Sequence, residues 1–295
     1  MIHIPRYVGK EFIVPEPFSN YAVESFEDYM SQLLAVEGYV RHDLLDSFGG
    51  NPIYGFSIGD ITKPMILIDG CIHKSHEWRT SYWIMHFMEA VAKPHLHYPT
   101  MMKKINELKS KYCFYFIPVV APDTFVKSAQ GIYSLGNDNG VDPALNFDYN
   151  FEGTSGGKGA FPFSEPESQN IKNIIEAYKP VFYINCHGFG GNYGTTLREP
   201  INMKYSLLYH EANKSMKLSA RMENRAGIGP FNLDSSAYNW AAGKASRRGD
   251  EIISNVFEVG VYESAKVQST IGVTGLLLHC IHADNYLTKQ SLTMF

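Results

Sequence analysis

Uninterrupted apolar runs alternate with amphipathic segments along the chain. Pro64-Met65-Ile66-Leu67-Ile68-Asp69, Tyr112 to Val120 and Val181 to Cys186 are almost wholly apolar, the pattern of strands covered on both faces. Ile252 to Tyr262 reads as a further strand, with one charge, Glu258, set in its apolar middle, and a short strand is predicted over 52–59. Ser25 to Val36 has helical spacing behind a serine cap with acids in its first turn. From Trp78 to Ala92 apolar positions recur at steps of three and four, predicting a buried helix in which His86 is a packed residue. Lys103 to Lys111 is a more polar helix, Ser164 to Tyr178 opens with Pro166 and acids at its positive end, and 201–226 predicts a long helix. The Gly-, Asn- and Asp-rich stretch 124–162 reads as functional loops over a rigid scaffold, and 227–249 as a further loop. Strands and helices in this order predict an α/β fold: one domain over 1–295, with a mixed, mostly parallel twisted sheet flanked by helices.

Composition narrows the function classes. The 295 residues are 44% hydrophobic and 19% charged, as in an ordinary globular protein, and the net charge of −4 gives no electrostatic case for nucleic acid or an anionic membrane. No apolar run is long enough to span a bilayer, and Met1 to Arg6 lacks the charged and apolar regions of a secretory signal. A soluble protein, cytoplasmic by default, is the expectation. The 4 cysteines, Cys71, Cys113, Cys186 and Cys280, are dispersed and read as buried thiols, neither a disulfide frame nor a cysteine-type zinc site.

Candidate chemistry gathers where strands end. The run at 64–69 leads into Gly70-Cys71-Ile72-His73-Lys74-Ser75-His76-Glu77-Trp78, and a strand ending in a Gly and a His/Glu loop aims imidazole and carboxylate above the sheet edge. Two histidines and a glutamate suit zinc, whose catalytic sites take three protein ligands. His73 and Glu77 are the first pair, although a helix starting near Ser75 would instead make His76 and Glu77 solvated first-turn residues. A second strand runs into a histidine at Asn185-Cys186-His187. Glu258 is a carboxylate that burial makes costly unless it is paired or functional. His279 and His282 lie late and isolated.

Several stretches, in one order from about residue 60 to 262, together resemble the zinc carboxypeptidase family. Gly70 to Trp78 resembles its Gly-Ile-His-x-x-Glu-Trp loop, and Pro118 to Asp123 its strand ending in Asn-Pro-Asp-Gly. Gly140-Val141-Asp142-Pro143-Ala144-Leu145-Asn146-Phe147-Asp148 is similar to Gly-Val-Asp-Pro-Asn-Arg-Asn-Phe-Asp, and Ser164-Glu165-Pro166-Glu167 matches Ser-Glu-Pro-Glu. Asn185-Cys186-His187 falls where a third ligand belongs, and Phe257-Glu258-Val259 resembles the strand bearing the catalytic glutamate. The resemblance implies Zn2+ held by His73, Glu77 and His187, with Glu258 as general base in hydrolysis of a peptide or peptide-like amide bond. It also implies weaker substrate contacts from His76, Asn146 and Tyr238.

Three departures bear on this expectation. The family spaces its histidine and glutamate by two residues, whereas Lys74, Ser75 and His76 separate His73 from Glu77, so the loop bulges or His76 becomes a ligand or polarising group. The arginine that grips a substrate's terminal carboxylate in a bidentate bond is replaced by Leu145, behind Ala144. Residues 124–139 offer Lys127 but no arginine, leaving Arg198, Arg221 or Arg225 as substitutes, and either Phe231 or Tyr238 falls near the family's closing phenol. These departures point to non-standard substrate recognition, as in an endopeptidase or amidase acting on an unusual peptide. The alternatives are an N-acyl amino acid deacylase and an inactive binding module that retains the fold.

Overall fold

The computed structural model describes residues 25–73, 77–97, 102–188, 193–195, 235–245 and 252–258, and near the C-terminus 272–273, 275–281, 283–285 and 287–288. The predicted helix over 201–226 lies outside the described residues.

Among the described residues the apolar runs form the middle of one seven-stranded sheet, in the order β1-β2-β4-β3-β5-β7-β6. Its strands are β1 (Val40–Asp43), β2 (Tyr54–Ile58), β3 (Met65–Gly70), β4 (Cys113–Ile117), β5 (Phe182–His187), β6 (Tyr193–Thr195) and β7 (Ile253–Glu258). The central strands β4, β3, β5 and β7 are mutually parallel, and every residue of each is buried. Antiparallel pairing brings β2 and β1 onto one side and β6 onto the other, so the sheet is mixed, with its parallel strands in the middle. The short strands β1 and β6 were not expected from the sequence; β1 is a largely exposed edge, Val40-Arg41-His42-Asp43, with no apolar run.

Two apolar layers cover the sheet. On one face, Ile66 and Ile68 of β3, Phe114 and Phe116 of β4, Ile184 of β5 and Phe257 of β7 meet α1 (Phe26–Leu34), α2 (Thr80–Ala92) and the helical residues 275–281. On the other, the alternate residues Leu67, Tyr115, Tyr183 and Val256 meet α6 (Pro166–Tyr178) and Trp240, as a two-residue side-chain period requires. The short α3 (Pro94–His97) and α4 (Met102–Lys111) follow α2. All of the cysteines are free and buried. Among the described residues no helix is long and apolar enough to cross a membrane.

Two loop expectations are corrected. Residues 122–129 form α5 (Pro122–Ala129): Pro122 and Asp123, which suggest a turn after β4, instead occupy the first helical turn, where proline's missing N–H loses nothing and an acid meets the positive helix end. Residues Ala237–Trp240 form α7, continued by a π-helical turn at Ala241–Ala245, because Ala237, Tyr238, Trp240 and Ala241 are buried together against the second layer.

The remaining loops are tied together by buried carboxylates. Asp123 accepts from Ser47 Oγ, from Asn51 Nδ2 at 2.8 Å, and from the amides of Gly49 and Asp138 at 2.9 and 3.1 Å. Asn137 Nδ2 donates to Glu165 Oε2 at 2.8 Å and to Glu167 Oε1 at 3.2 Å, while Phe48 N also donates to Glu167 Oε1 at 3.2 Å. Burial, only partly offset by these donors, pushes the Glu167 carboxyl up to about 7. Because its folded pKa lies above its unfolded value near 4.5, the folded chain holds the extra proton, and stability falls as pH rises from the unfolded pKa through the folded one. Glu167→Gln keeps an acceptor for Phe48 and Asn137 without the charge. Urea denaturation at pH 5 and pH 8 will show the variant gaining on the native chain at the higher pH, by roughly 1–3 kcal/mol.

Candidate metal centre

The parallel strands all end at one edge of the sheet, and the loops there carry the titratable side chains. Backbone pairing continues past β3, with Val120 N and Ala121 N donating to Gly70 O and Cys71 O at 3.0 and 2.8 Å. Cys71 then turns with φ +50°, a region that non-glycine residues seldom occupy. Its amide donates to Thr80 Oγ1 at 2.6 Å. Gly70 is required beside it, since a Cβ there would lie 2.5 Å from Ile84 Cδ1 and 2.9 Å from Thr80 Oγ1. On the far side of the loop Trp78 packs edge-on against Tyr82 and Phe125, with ring centroids 5.7 Å apart in both pairs. His73 and Glu77 are therefore bracketed by two fixed points. Lys74, Ser75 and His76 lie outside the described residues.

Glu77 is buried, and its Oε2 lies 3.0 Å from Nδ1 of His187, the last residue of β5. Glu258, the last residue of β7 and also buried, is opposite His187 in the register of the two strands. The His73 and His187 rings stand edge to face with centroids 5.7 Å apart. His73 Nδ1 lies 2.5 Å from Asp142 Oδ2, while Oδ1 of the same carboxylate accepts from Ala144 N at 3.1 Å and caps a 3-10 turn over Pro143–Leu145. The structure thus brings His73, Glu77, His187 and Glu258 to one end of the sheet and adds Asp142.

Behind them lies a file of buried polar side chains on one face of β3 and β5. Tyr183 Oη donates to Asp69 Oδ2 at 2.7 Å and Asn185 Nδ2 donates to Asp69 Oδ1 at 2.6 Å. Asn185 Oδ1 lies 2.6 Å from His187 Nε2. Asp69, Tyr183 and Asn185 were not singled out from the sequence. The signal was there: in Phe182-Tyr183-Ile184-Asn185-Cys186-His187 polar groups occupy every second position of an otherwise apolar strand.

Burial disfavours charge on these imidazoles, but carboxylates outweigh it. For His187 the charges of Glu77, Glu258 and Asp69 push the pKa up to about 9 against desolvation. For His73, Asp142 and Glu77 overcome desolvation and raise it as well.

The other candidates have partners of their own. Asn146 Nδ2 donates to Lys158 O, Phe161 O and Ser164 Oγ at 2.7, 3.0 and 3.0 Å, and its Oδ1 accepts from Glu165 N and Ser168 Oγ at 3.0 and 2.6 Å, so the amide is a brace for residues 158–168. Tyr238 is buried in the apolar layer with Trp240. Lys127 Nζ is bound to Asp138 Oδ1 at 2.7 Å. Arg198, Arg221, Arg225 and Phe231 lie outside the described residues.

Whether these groups suit zinc is a matter of donor type and spacing. Ligands at the usual zinc distances of about 2.1 Å stand roughly 3.4 Å apart on a tetrahedron, and the Glu77 to His187 contact of 3.0 Å is near that edge. Each histidine has one ring nitrogen against an oxygen acceptor, Asp142 for His73 and Asn185 for His187, as metal-binding histidines are commonly held. Among the described residues no three His, Cys, Asp or Glu side chains are drawn onto a single point. The donor set fits zinc by type and the Glu77–His187 pair fits it by spacing.

Comparison with solved structures finds the same architecture in bovine thrombin-activatable fibrinolysis inhibitor, bound there to tick carboxypeptidase inhibitor, with a TM-score of 0.69 and 17% identity over 92% of this chain and 99% of that one. A metallo-carboxypeptidase from Burkholderia cenocepacia aligns with a TM-score of 0.64 and 14% identity over 91% of this chain and 71% of its own. No curated protein sequence matches. At these identities the likeness establishes the fold. A family model described as zinc carboxypeptidase matches residues 38–227, most of the chain and both strands that lead into the histidines. The chain belongs to the zinc carboxypeptidase family.

Proposed function

We infer that the protein is a zinc-dependent hydrolase of a peptide or peptide-like amide bond, with a substrate held otherwise than by the family's terminal-carboxylate clamp. The observation that carries this reading is the Glu77–His187 contact at the end of β5 with Glu258 beside it in register. His73 through Nε2, Glu77 through its carboxylate and His187 through Nδ1 would hold the metal, since Asp142 and Asn185 engage the other ring nitrogens. Zinc bound there supplies Lewis acidity toward the amide carbonyl and acidifies water.

Glu258 then acts on the proton. Its carboxylate removes a proton from the attacking water and delivers it to the leaving nitrogen, so the amide C–N bond breaks with a neutral amine departing. Burial of Glu258 keeps bulk water from competing for that proton. Asp142 keeps the His73 ring in place.

Substrate recognition follows from residues 144 and 145. Ala144 is buried in the apolar layer, and Leu145 offers a carboxylate no donor. This supports a substrate extended beyond the scissile bond or blocked at its end, with a zinc-dependent endopeptidase or amidase as the type of activity.

Metal analysis is the first test. After reconstitution with zinc chloride and dialysis the native chain will hold about one zinc, His187→Ala will hold little, and Glu258→Gln will hold as much as the native chain. A native chain that retains none is instead the inactive binding module. A panel of N-blocked peptides with free or amidated C-termini tests recognition: the amidated peptides will be cleaved at least as fast as the free acids, and Glu258→Gln will slow both by roughly 10²–10⁴-fold. A strong preference for free acids would show that another residue supplies the clamp.

A further inference from the structure

Histidine can present either ring nitrogen to a ligand, and the choice is set by what the other nitrogen touches. For His187 that choice can be followed backward through the sheet. An ionised carboxylate only accepts hydrogen bonds, so Asp69 takes the Oη–H of Tyr183 and the Nδ2–H of Asn185, at 2.7 and 2.6 Å. With its nitrogen committed to Asp69, the Asn185 amide has only its oxygen left for His187. An amide oxygen also only accepts, so Nε2 of His187, 2.6 Å away, must carry a proton. Nδ1 is then the nitrogen left to face Glu77 Oε2 at 3.0 Å.

The arrangement is built into the strands. Tyr183, Asn185 and His187 occupy alternate positions of β5 and share a face, and Asp69 is the register partner of Asn185 on β3. Asp69, Tyr183 and Asn185 are all essentially inaccessible to solvent, at 0%, 0% and 1% exposure, so water does not compete for these bonds.

We propose that Asn185 is the positioning residue of the metal centre: oriented by Asp69 and Tyr183, it fixes the His187 ring with Nε2 protonated and Nδ1 turned toward Glu77. The part of this that concerns metal rests on the zinc reading above; the orientation of the ring does not.

The test uses the full chain with 15N-labelled histidine and compares Asn185→Leu, which keeps the branched shape but removes the acceptor, with Asn185→Asp. In the latter one proton shared with Asp69 replaces the amide N–H, and a carboxyl oxygen still faces Nε2. In the metal-free native protein, the NMR spectrum will show a proton on His187 Nε2 that exchanges slowly with water. Asn185→Leu will lose that slow exchange, and Asn185→Asp will keep it. Zinc affinity, read by competition with a chromogenic chelator, will fall roughly 10–100-fold in Asn185→Leu and only a few-fold in Asn185→Asp. Thermal melts of both variants provide the folding control. A bare Nε2 in the native protein overturns the proposal without any variant, as does an Asn185→Leu chain that keeps both the slow proton and the native zinc affinity. If the native chain binds no zinc but shows the protected Nε2 proton, the metal reading fails and the positioning role of Asn185 stands.

Discussion

Asp69 is a carboxylate without solvent contact in the middle of four parallel strands, and the candidate metal centre at the end of the sheet depends on how it is satisfied. Desolvation pushes its pKa up to about 6, while the hydrogen bonds from Asn185 and Tyr183 and the charge of His187 pull the other way. Those donors come from alternate residues of β5, so the register that supplies them also turns Ile184 and Cys186 into the opposite apolar layer. A slip of one residue would carry Tyr183, Asn185 and His187 to the wrong face together and leave Asp69 without donors. The strand pairing, the core and the direction of the His187 ring are thus one constraint.

Two groups of buried acids show what separates a structural carboxylate from one suited to a cation. Asp123, Glu165 and Glu167 are satisfied by amide and hydroxyl hydrogens from loops 47–51 and 137–139 and from Ser164, and they knit those loops to α5 and α6. Glu77 and Asp142, by contrast, face imidazoles, with Glu258 next in register. Imidazoles among carboxylates are drawn toward the charged form, as the raised pKa values of His73 and His187 record. Such surroundings favour any positive charge placed among them, and a divalent ion bound by neutral imidazoles supplies as much of it as a proton on each ring would, concentrated at one point.

How much of this was legible in the sequence varied with the physics behind each element. The central strands were plain because burial on both faces removes alternation, and Glu258 stood out because a charge inside such a run is costly. α5 was hidden because Pro122-Asp123 is equally good chemistry for a turn and for a helix start, and the residues that decide, Thr124 and Phe125, do so by tertiary burial. The helical turns at 237–245 were hidden for the same reason: Ala237, Tyr238, Trp240 and Ala241 gain from packing against the second layer what their local propensity does not supply. Asn146 was legible as part of a motif and not as a brace, since a motif names a residue without saying which groups its amide reaches. The polar file of β5 required the register with β3, which no single strand contains.

In the turn over Pro143–Leu145, the support of His73 is separate from the side chains at 144 and 145. Asp142 begins the turn, using one oxygen to cap it and the other to hold His73, and Pro143 fits the first position, where no N–H is needed. Those roles depend on the backbone of the turn and on the Asp142 side chain; they place no demand on the side chains at 144 and 145. Ala144 can therefore serve the apolar layer, and Leu145 can lose the guanidinium of the family pattern, without disturbing the support of His73. In a chain built this way, the side chains at 144 and 145 can be replaced while the groups proposed to act on the amide bond stay where the strands place them.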